Sequence, residues 1–300
     1  MSITAQSPVV SVIMSMRNSA STVDAAVRSV LMQTLRDWEM IVIDDGSSDE
    51  SCAIVEGFHD GRIRLVRESR SAGLAARLNQ AVALSRGEFI ARMDADDICF
   101  PERLDRQVAR LREDPRLDLL GCGAVVFRSN GELVGEMPVG VLHRDIVARP
   151  FVGFPFAHPT WCGRASWFRK NPYNGELRYA EDQDLLLRSF CNSKLAGIDA
   201  VLLGYRQDQL TLKKLLPGRA TFAGSAWRHG LTTGEFIPAL AGIAVHAAKG
   251  VADIATIGFG LNHVMQIKRF KPVSPATERQ WRQLREDLAA SSSNPRRNAS

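Results

Sequence analysis

Before residue 112 the chain alternates two kinds of segment. Short, β-branched apolar runs occur at residues 9–14, 40–43, 63–67 and 89–93. Between them lie longer stretches whose apolar residues recur every three or four positions. Val23, Val27, Val30 and Leu31 form one such stripe, and Leu74, Leu78, Ala81, Val82 and Leu84 form another. A further helix is expected up to about His59, and one begins near Pro101 with Leu104, Val108 and Leu111 on its apolar face. Continuous apolar runs suit strands buried on both faces, and three-to-four spacing suits helices packed on one side. The alternation therefore predicts an α/β fold with a mostly parallel central sheet and flanking helices. Ser21 and Asp24 predict a capping box at the first helix.

The pattern changes after residue 112. Leu119–Phe127 reads as a strand, and Asn130-Gly131 predicts a tight turn into a second strand at Glu132–Met137. Residues 141–180 are rich in aromatics, Gly and Pro and are expected to wall an active site. Glu181–Phe190 reads as a helix and Ala200–Arg206 as a last strand. From Leu212 the chain turns basic and apolar. Residues 213–300 carry 13 basic and 5 acidic residues, net +8, against net −3 for residues 1–212. This asymmetry suggests a polyanionic surface as partner. The expected division is a tail at 1–8, a catalytic domain at 9–211, a helical extension at 212–289 and a disordered tail at 290–300.

Composition excludes several classes. No run approaches about 18 consecutive apolar residues, so no transmembrane span is expected. The opening MSITAQSP has no apolar core, so no signal peptide is expected. The five cysteines are scattered, with no C-x-x-C pair, which predicts neither a zinc site nor a disulfide framework. Small, buried, reduced thiols in the cytoplasm are the plain reading. His143, His229, His246 and His263 show no metal-ligand spacing.

Acidic clusters directly after the second and fourth predicted strands are the main chemical signal. In open parallel sheets, ligands bind outside the carboxyl ends of the strands. Asp94-x-Asp96 puts two carboxylates within reach of one point, and hard divalent cations combine such carboxylates with substrate phosphates. A solvated loop with Asp97 as a helix cap is the bland alternative. In Asp44-Asp45-Gly46-Ser47, Gly46 makes the turn and Ser48 or Asp49 caps the next helix. A carboxylate here could also accept hydrogen bonds from a base or a ribose.

These residues resemble glycosyltransferase family 2, the inverting enzymes with the GT-A nucleotide-sugar-binding fold. The resemblance runs from Val9 to about Thr211. It rests on VSVIMSMRN, SVLMQTLRDWEMIVIDDGSSDES, GLAARLNQAV, SRGEFIARMDADD, FPERLDRQ, HPT and AEDQDLLLR, in that order. It implies a nucleotide diphosphate sugar donor and transfer to an acceptor hydroxyl with inversion. By position it implies that Asp45 contacts the nucleobase, Asp94 the ribose or metal side, and that Asp96 coordinates a divalent cation, Mg²⁺ or Mn²⁺. Asp182 becomes the general base, and Glu181 positions the acceptor or its loop. His158 lines the donor–acceptor cleft.

Two positions depart from the family pattern. Ser15-Met16-Arg17-Asn18 replaces the usual Pro-Val-Tyr-Asn, so Arg17 takes the place of a ring that could stack on the base. Asp208 stands where the family often has His. Residues 236–270 are apolar at helical spacing, with Lys268, Arg269 and Lys271 following, which fits helices lying in a membrane interface. Packing on the catalytic core, or as a dimer on a second copy of the chain, is the alternative use of these helices. The expectation is a peripheral enzyme on the inner face of the cytoplasmic membrane, acting on a lipid-linked saccharide in surface polysaccharide assembly, with no nucleic acid partner. A nucleotidyltransferase would need a basic Gly-rich loop near Met14–Asn18, and a dinucleotide oxidoreductase a G-x-G-x-x-G after the first strand; neither is present. A non-catalytic nucleotide-binding protein is the remaining alternative.

Overall fold

The computed structural model describes residues 7–208, 211–260 and 270–293. Strand β1 (Val10–Met16) lies between β2 (Trp38–Asp44) and β4 (Phe89–Arg92), parallel to both, and β3 (Ile63–Arg67) extends the parallel set beyond β2. Alternate residues of β1 serve opposite faces. Val10, Val12, Met14 and Met16 pack in one core layer with helix α1 (Val23–Leu31) and helix α4 (Arg103–Glu113). Ile13 packs in the other, with helix α3 (Leu74–Leu84). Both faces are covered, which is why these strands read as unbroken apolar runs. Each fully buried Val or Ile contributes about 1.5–3 kcal/mol.

The sheet order is β3-β2-β1-β4-β8-β6-β9-β5, with β7 pairing the far end of β6 on the same flank as β8. Here β5 is Ile98–Cys99, β6 Leu119–Phe127, β7 Leu133–Met137, β8 Cys162–Arg164 and β9 Leu195–Arg206. The added strands include both directions: β8 is antiparallel to β4 and β6, while β6 and β9 are parallel. The reversal at β8 matters for the site. Because β8 runs opposite to β4, the segment leading into β8 meets the segment leaving β4. The Arg92 amide donates to the Trp161 carbonyl at 2.8 Å.

Several local expectations need correction. The capping box does not form: Thr22 is the N-cap of α1 without a side-chain cap bond, and Asp24 instead pairs with Arg28 at 2.8 Å. Strand β5 is too short to leave a sequence pattern, and β9 begins five residues earlier than Ala200. Cys99, Cys122 and Cys162 are buried, but Cys52 is half-buried and Cys191 exposed; all five are free thiols.

Helix α2 spans Ser51–Glu56, and α5 (His143–Ile146) and α6 (Ala165–Lys170) are short. Helix α7 (Glu181–Ser189) leads to β9, and α8 (Leu212–Thr233) and α9 (Phe236–Gly258) form a hairpin. Phe222 and Ala226 of α8 and Ala239 of α9 join the second core layer. Helix α10 (Pro275–Ser293) leaves that hairpin and packs Trp281, Leu284 and Leu288 on Ile98, Phe100, Val125 and Phe127. It thus closes the far edge of the sheet, and residues 290–293, expected in a disordered tail, are helical. Residues 294–300 lie outside the described residues, as do His263, Lys268 and Arg269.

Helix α9 has its polarity reversed. Its buried residues are Ala239, Gly242, His246, Gly250 and Asp253, so its polar side chains include two that face the protein. Its outer side presents Ile237, Leu240, Val251 and Ile254, exposed by 82, 55, 68 and 49%. Asp253 is tied to Arg219 of α8 at 2.5 Å. By length and composition α9 could cross a membrane, although no unbroken apolar run signalled it, and only 22% of its most apolar window is buried.

Candidate active site

The loops after β2 and β4 meet in a groove with two corners. The first is a cleft of about 500 Å³ lined by Arg17, Asp45, Ser71, Leu74, Arg178 and Tyr179. Gly46 turns the chain here at φ +75°, a conformation that disfavours residues with a Cβ. Asp45 is buried and accepts four hydrogen bonds, from Ser71 Oγ (2.6 Å), Ala72 N (2.7 Å), Gly73 N (3.0 Å) and Arg77 Nε (2.7 Å). Burial raises its pKa, but these donors outweigh that and hold the carboxyl below its ordinary range. Arg17 Nη1 donates to Ser71 Oγ at 3.0 Å, so Arg17, Ser71 and Asp45 form one chain. Tyr179, 40% exposed, brings to this cleft the aromatic ring absent from Ser15–Asn18.

The second corner is a cleft of about 550 Å³ that shares Leu74 with the first and contains Arg92, Asp94, His158, Glu181, Asp182 and Gln183. Arg92, at the end of β4, is buried and grips Asp94 with both terminal nitrogens, at 2.7 and 2.6 Å. Ligand atoms of Asp94, Asp96 and Asp97 lie within 4.8 Å of one another. Asp97 does not cap a helix. It is buried, its Oδ1 accepts the Arg206 amide at 2.9 Å, and its Oδ2 has no hydrogen-bond partner. Burial and then the neighbouring carboxylates push Asp97 well above its ordinary range; burial and Asp94 raise Asp96 to about 6. A buried carboxylate oxygen without a donor, inside a crowd of carboxylates, is the donor set a hard cation fits.

Across this cleft stands the head of α7. Ala180, just before it, adopts φ +54°, a left-handed conformation costly for a residue with a Cβ. Burial and the adjacent Asp182 raise Glu181 to about 7, and burial also raises Asp182. Gln183 locks this wall: its Oε1 accepts the Phe154 amide at 2.7 Å and its Nε2 donates to Asp182 Oδ2 at 3.3 Å. Gly153 allows the close approach, with φ +117° and space for a Cβ only 3.1 Å from Gln183 Oε1. His158 is buried, hydrogen-bonded through Nε2 to Tyr173 Oη at 2.8 Å, and edge-on to the Trp161 ring, with centroids 4.7 Å apart. Burial, then Arg92, lower its pKa well below the ordinary value, so it is neutral and its 3.9 Å approach to Glu181 is not an ion pair.

The structure therefore brings Asp94, His158, Glu181 and Asp182 to one cleft and Arg17 and Asp45 to the adjoining one. Asp208 stands apart, accepting from the Ser129 amide and hydroxyl at 2.6 Å each. Sequence reasoning missed Arg92, Tyr179 and Gln183, and gave Asp97 only a helix-capping role. Arg92 hid because a strand-ending arginine is ordinary, and Gln183 because its partner, Phe154, is 29 residues away.

Acidic loops converging at the carboxyl ends of the strands place this groove where open α/β sheets bind ligands. The family model of glycosyl transferase family 2 matches residues 11–171, and the chain belongs to that family; it is a glycosyltransferase. EpsE of Bacillus subtilis, a glycosyltransferase by name, is 36% identical over 61% of this chain and 67% of its own. The Escherichia coli WfgD, named as a UDP-Glc:alpha-D-GlcNAc-diphosphoundecaprenol beta-1,3-glucosyltransferase, is 35% identical over 42% of this chain and 49% of its own. The crystal structure of S. aureus TarS 1-349 in complex with UDP-GlcNAc superposes with a TM-score of 0.61 at 20% identity. It covers 93% of this chain and 80% of that one, and shows the GT-A fold.

Proposed function

We propose that this chain is an inverting, metal-dependent enzyme that moves a sugar from a nucleoside diphosphate sugar to a hydroxyl of a lipid-linked saccharide in surface polysaccharide assembly. The observation that carries this reading is the excess of carboxylates around one cleft. Asp94, Glu181 and Asp182 line it with Arg92 as the one cation, and Asp96 and Asp97 stand beside Asp94, their ligand atoms within 4.8 Å of one another. The names of WfgD and of the TarS complex support a uridine nucleotide donor and a diphosphate lipid acceptor.

In this reading Arg17, Asp45 and Tyr179 hold the nucleoside end. Asp45 acts through the 71–73 loop that it pins, since its oxygens already have four donors. Asp96, with Asp94 and Asp97, would hold the cation. When bound, a divalent cation supplies Lewis-acid stabilisation of the charge on the departing diphosphate. Asp182 accepts the acceptor hydroxyl's proton as the new bond forms, and its shift above the ordinary carboxylate range suits that task. Glu181 and neutral His158 position the acceptor. The outward apolar side of α9 lies in the interface of an anionic membrane, on its cytoplasmic face.

Two measurements test this. Thermal-shift assays with UDP or GDP should show stabilisation that needs Mn²⁺ and is abolished in Asp96→Ala; metal-independent stabilisation equal in both proteins rejects the cation role. Co-sedimentation with phosphatidylglycerol vesicles should deplete the full chain from the supernatant, and high salt should release it only in part, because salt screens charge but not apolar burial. Full recovery in the supernatant at low salt rejects the membrane role.

A further inference from the structure

We propose that a second cavity, between the head of α7 and the α8–α9 hairpin, binds the phosphate-bearing part of the acceptor. This rests on the acceptor reading above and locates its charged group. The cavity, about 840 Å³, is walled by Ala180 and Gln183 on one side and carries Lys214, Arg219 and Lys249 on the other. That volume is of the size that holds a small ligand.

Its charge is unbalanced. Asp253 is the one carboxylate lining it, and it is committed to Arg219 at 2.5 Å. Among the described residues, neither Lys214 nor Lys249 comes within 4 Å of a carboxylate. Burial, and then the like charge of Arg219, lower the Lys249 pKa, so a bound anion would relieve the crowding.

Its position is the second argument. Gln183 lines both this cavity and the cleft of Asp182, and its amide bonds the Asp182 carboxylate. On the other side of α9 lies the exposed apolar row of Ile237, Leu240, Val251 and Ile254. The sequence of environments is therefore a carboxylate base, a polar amide, a cluster of cations and an apolar face. A molecule made of a sugar hydroxyl, a phosphate or diphosphate and a hydrocarbon has the same order.

The test uses the full chain and inorganic pyrophosphate in EDTA, where a metal-dependent donor site is silent. Calorimetry should show saturable pyrophosphate binding. The double variant Lys214→Gln/Lys249→Gln should weaken it by about tenfold or more, the loss of two charge-assisted contacts. The double variant Lys214→Arg/Lys249→Arg should restore most of it, which separates charge from damage to the hairpin. UDP or GDP binding with Mn²⁺, measured in parallel on the wild type, reports the donor site; its absence defeats the donor reading without altering the pyrophosphate result. Equal pyrophosphate affinity in wild type and the Gln variant, or no saturable binding in wild type, overturns the proposal. So does a lysine-dependent binding of phosphatidylglycerol vesicles that pyrophosphate fails to compete, because the cations would then serve lipid headgroups.

Discussion

The two corners of the groove hold their carboxylates in opposite ways. At the nucleoside corner, Asp45 has a donor for every side of its carboxyl group and is held below its ordinary pKa. At the reaction corner, Asp96, Asp97, Glu181 and Asp182 are all raised, and Asp97 keeps an oxygen with no donor. The first corner is complete as folded. The second is built at the expense of stability and left for a ligand to complete. On the proposed reading, rigidity is supplied where a donor is held and electrostatic demand is kept where bonds change.

Breaking the reaction corner should cost rate rather than stability. Asp182→Asn should lower transfer by about 10²–10⁴ while donor binding persists, because it removes proton acceptance at nearly constant shape. Single-turnover assays with a saccharide acceptor check this, and wild-type turnover would move the base to Glu181. Breaking the nucleoside corner should do the reverse. Asp45→Ala removes the 2.7 Å partner of Arg77, whose side chain is only 10% exposed and keeps Glu68 at 3.5 Å, and should destabilise the fold by about 1.5–3 kcal/mol. By contrast, Asp96→Ala in EDTA should leave stability unchanged or raised. Urea denaturation of both variants decides it, and similar losses in the two would erase the contrast.

The smallest effect is a pH dependence. Glu181 has a folded pKa of about 7, above its ordinary 4.5. The native state therefore binds more protons than the unfolded one between these values, and this carboxyl makes metal-free stability fall as pH rises from 5 to 8. Glu181→Gln should flatten that slope. Asp45, held low, acts with the other sign: its contribution is present above its ordinary pKa and is lost as pH falls through its lower folded value. Melting temperatures in EDTA across pH 3–8 for the wild type and Glu181→Gln separate the two.

The parallel half of the sheet was legible because burial on both faces forces an apolar signature onto β1, β2 and β4. The acidic residues were legible because a run of Asp at the end of such a strand is chemically conspicuous. What stayed hidden depends on distance along the chain. The Arg92 grip on Asp94 looks like any local pair until the buried setting is known. The setting of Asp97 depends on β9, whose Arg206 amide, far along the chain, bonds Oδ1 while Oδ2 has no donor. Helix α10 was legible only as part of the helical extension, because Trp281, Leu284 and Leu288 gain meaning only against Phe100 and Phe127.

The reversed strand β8 has a consequence for how such a chain can change. The parallel core of β1–β4 closes its own ladders by Arg92, and β8 joins it through three register pairs, Phe89 with Arg164, Ile90 with Gly163 and Ala91 with Cys162. Residues 138–157 loop out from β7 and return at His158 without adding a rung to those ladders. Ile146, Phe151, Phe154 and Phe156 anchor that segment in the second core layer, so the stretches between these anchors are the ones free to vary while the parallel strands keep their register. On the proposed reading, a chimera that exchanges 138–157 but keeps those four anchors should retain donor binding and change the preference for acceptors.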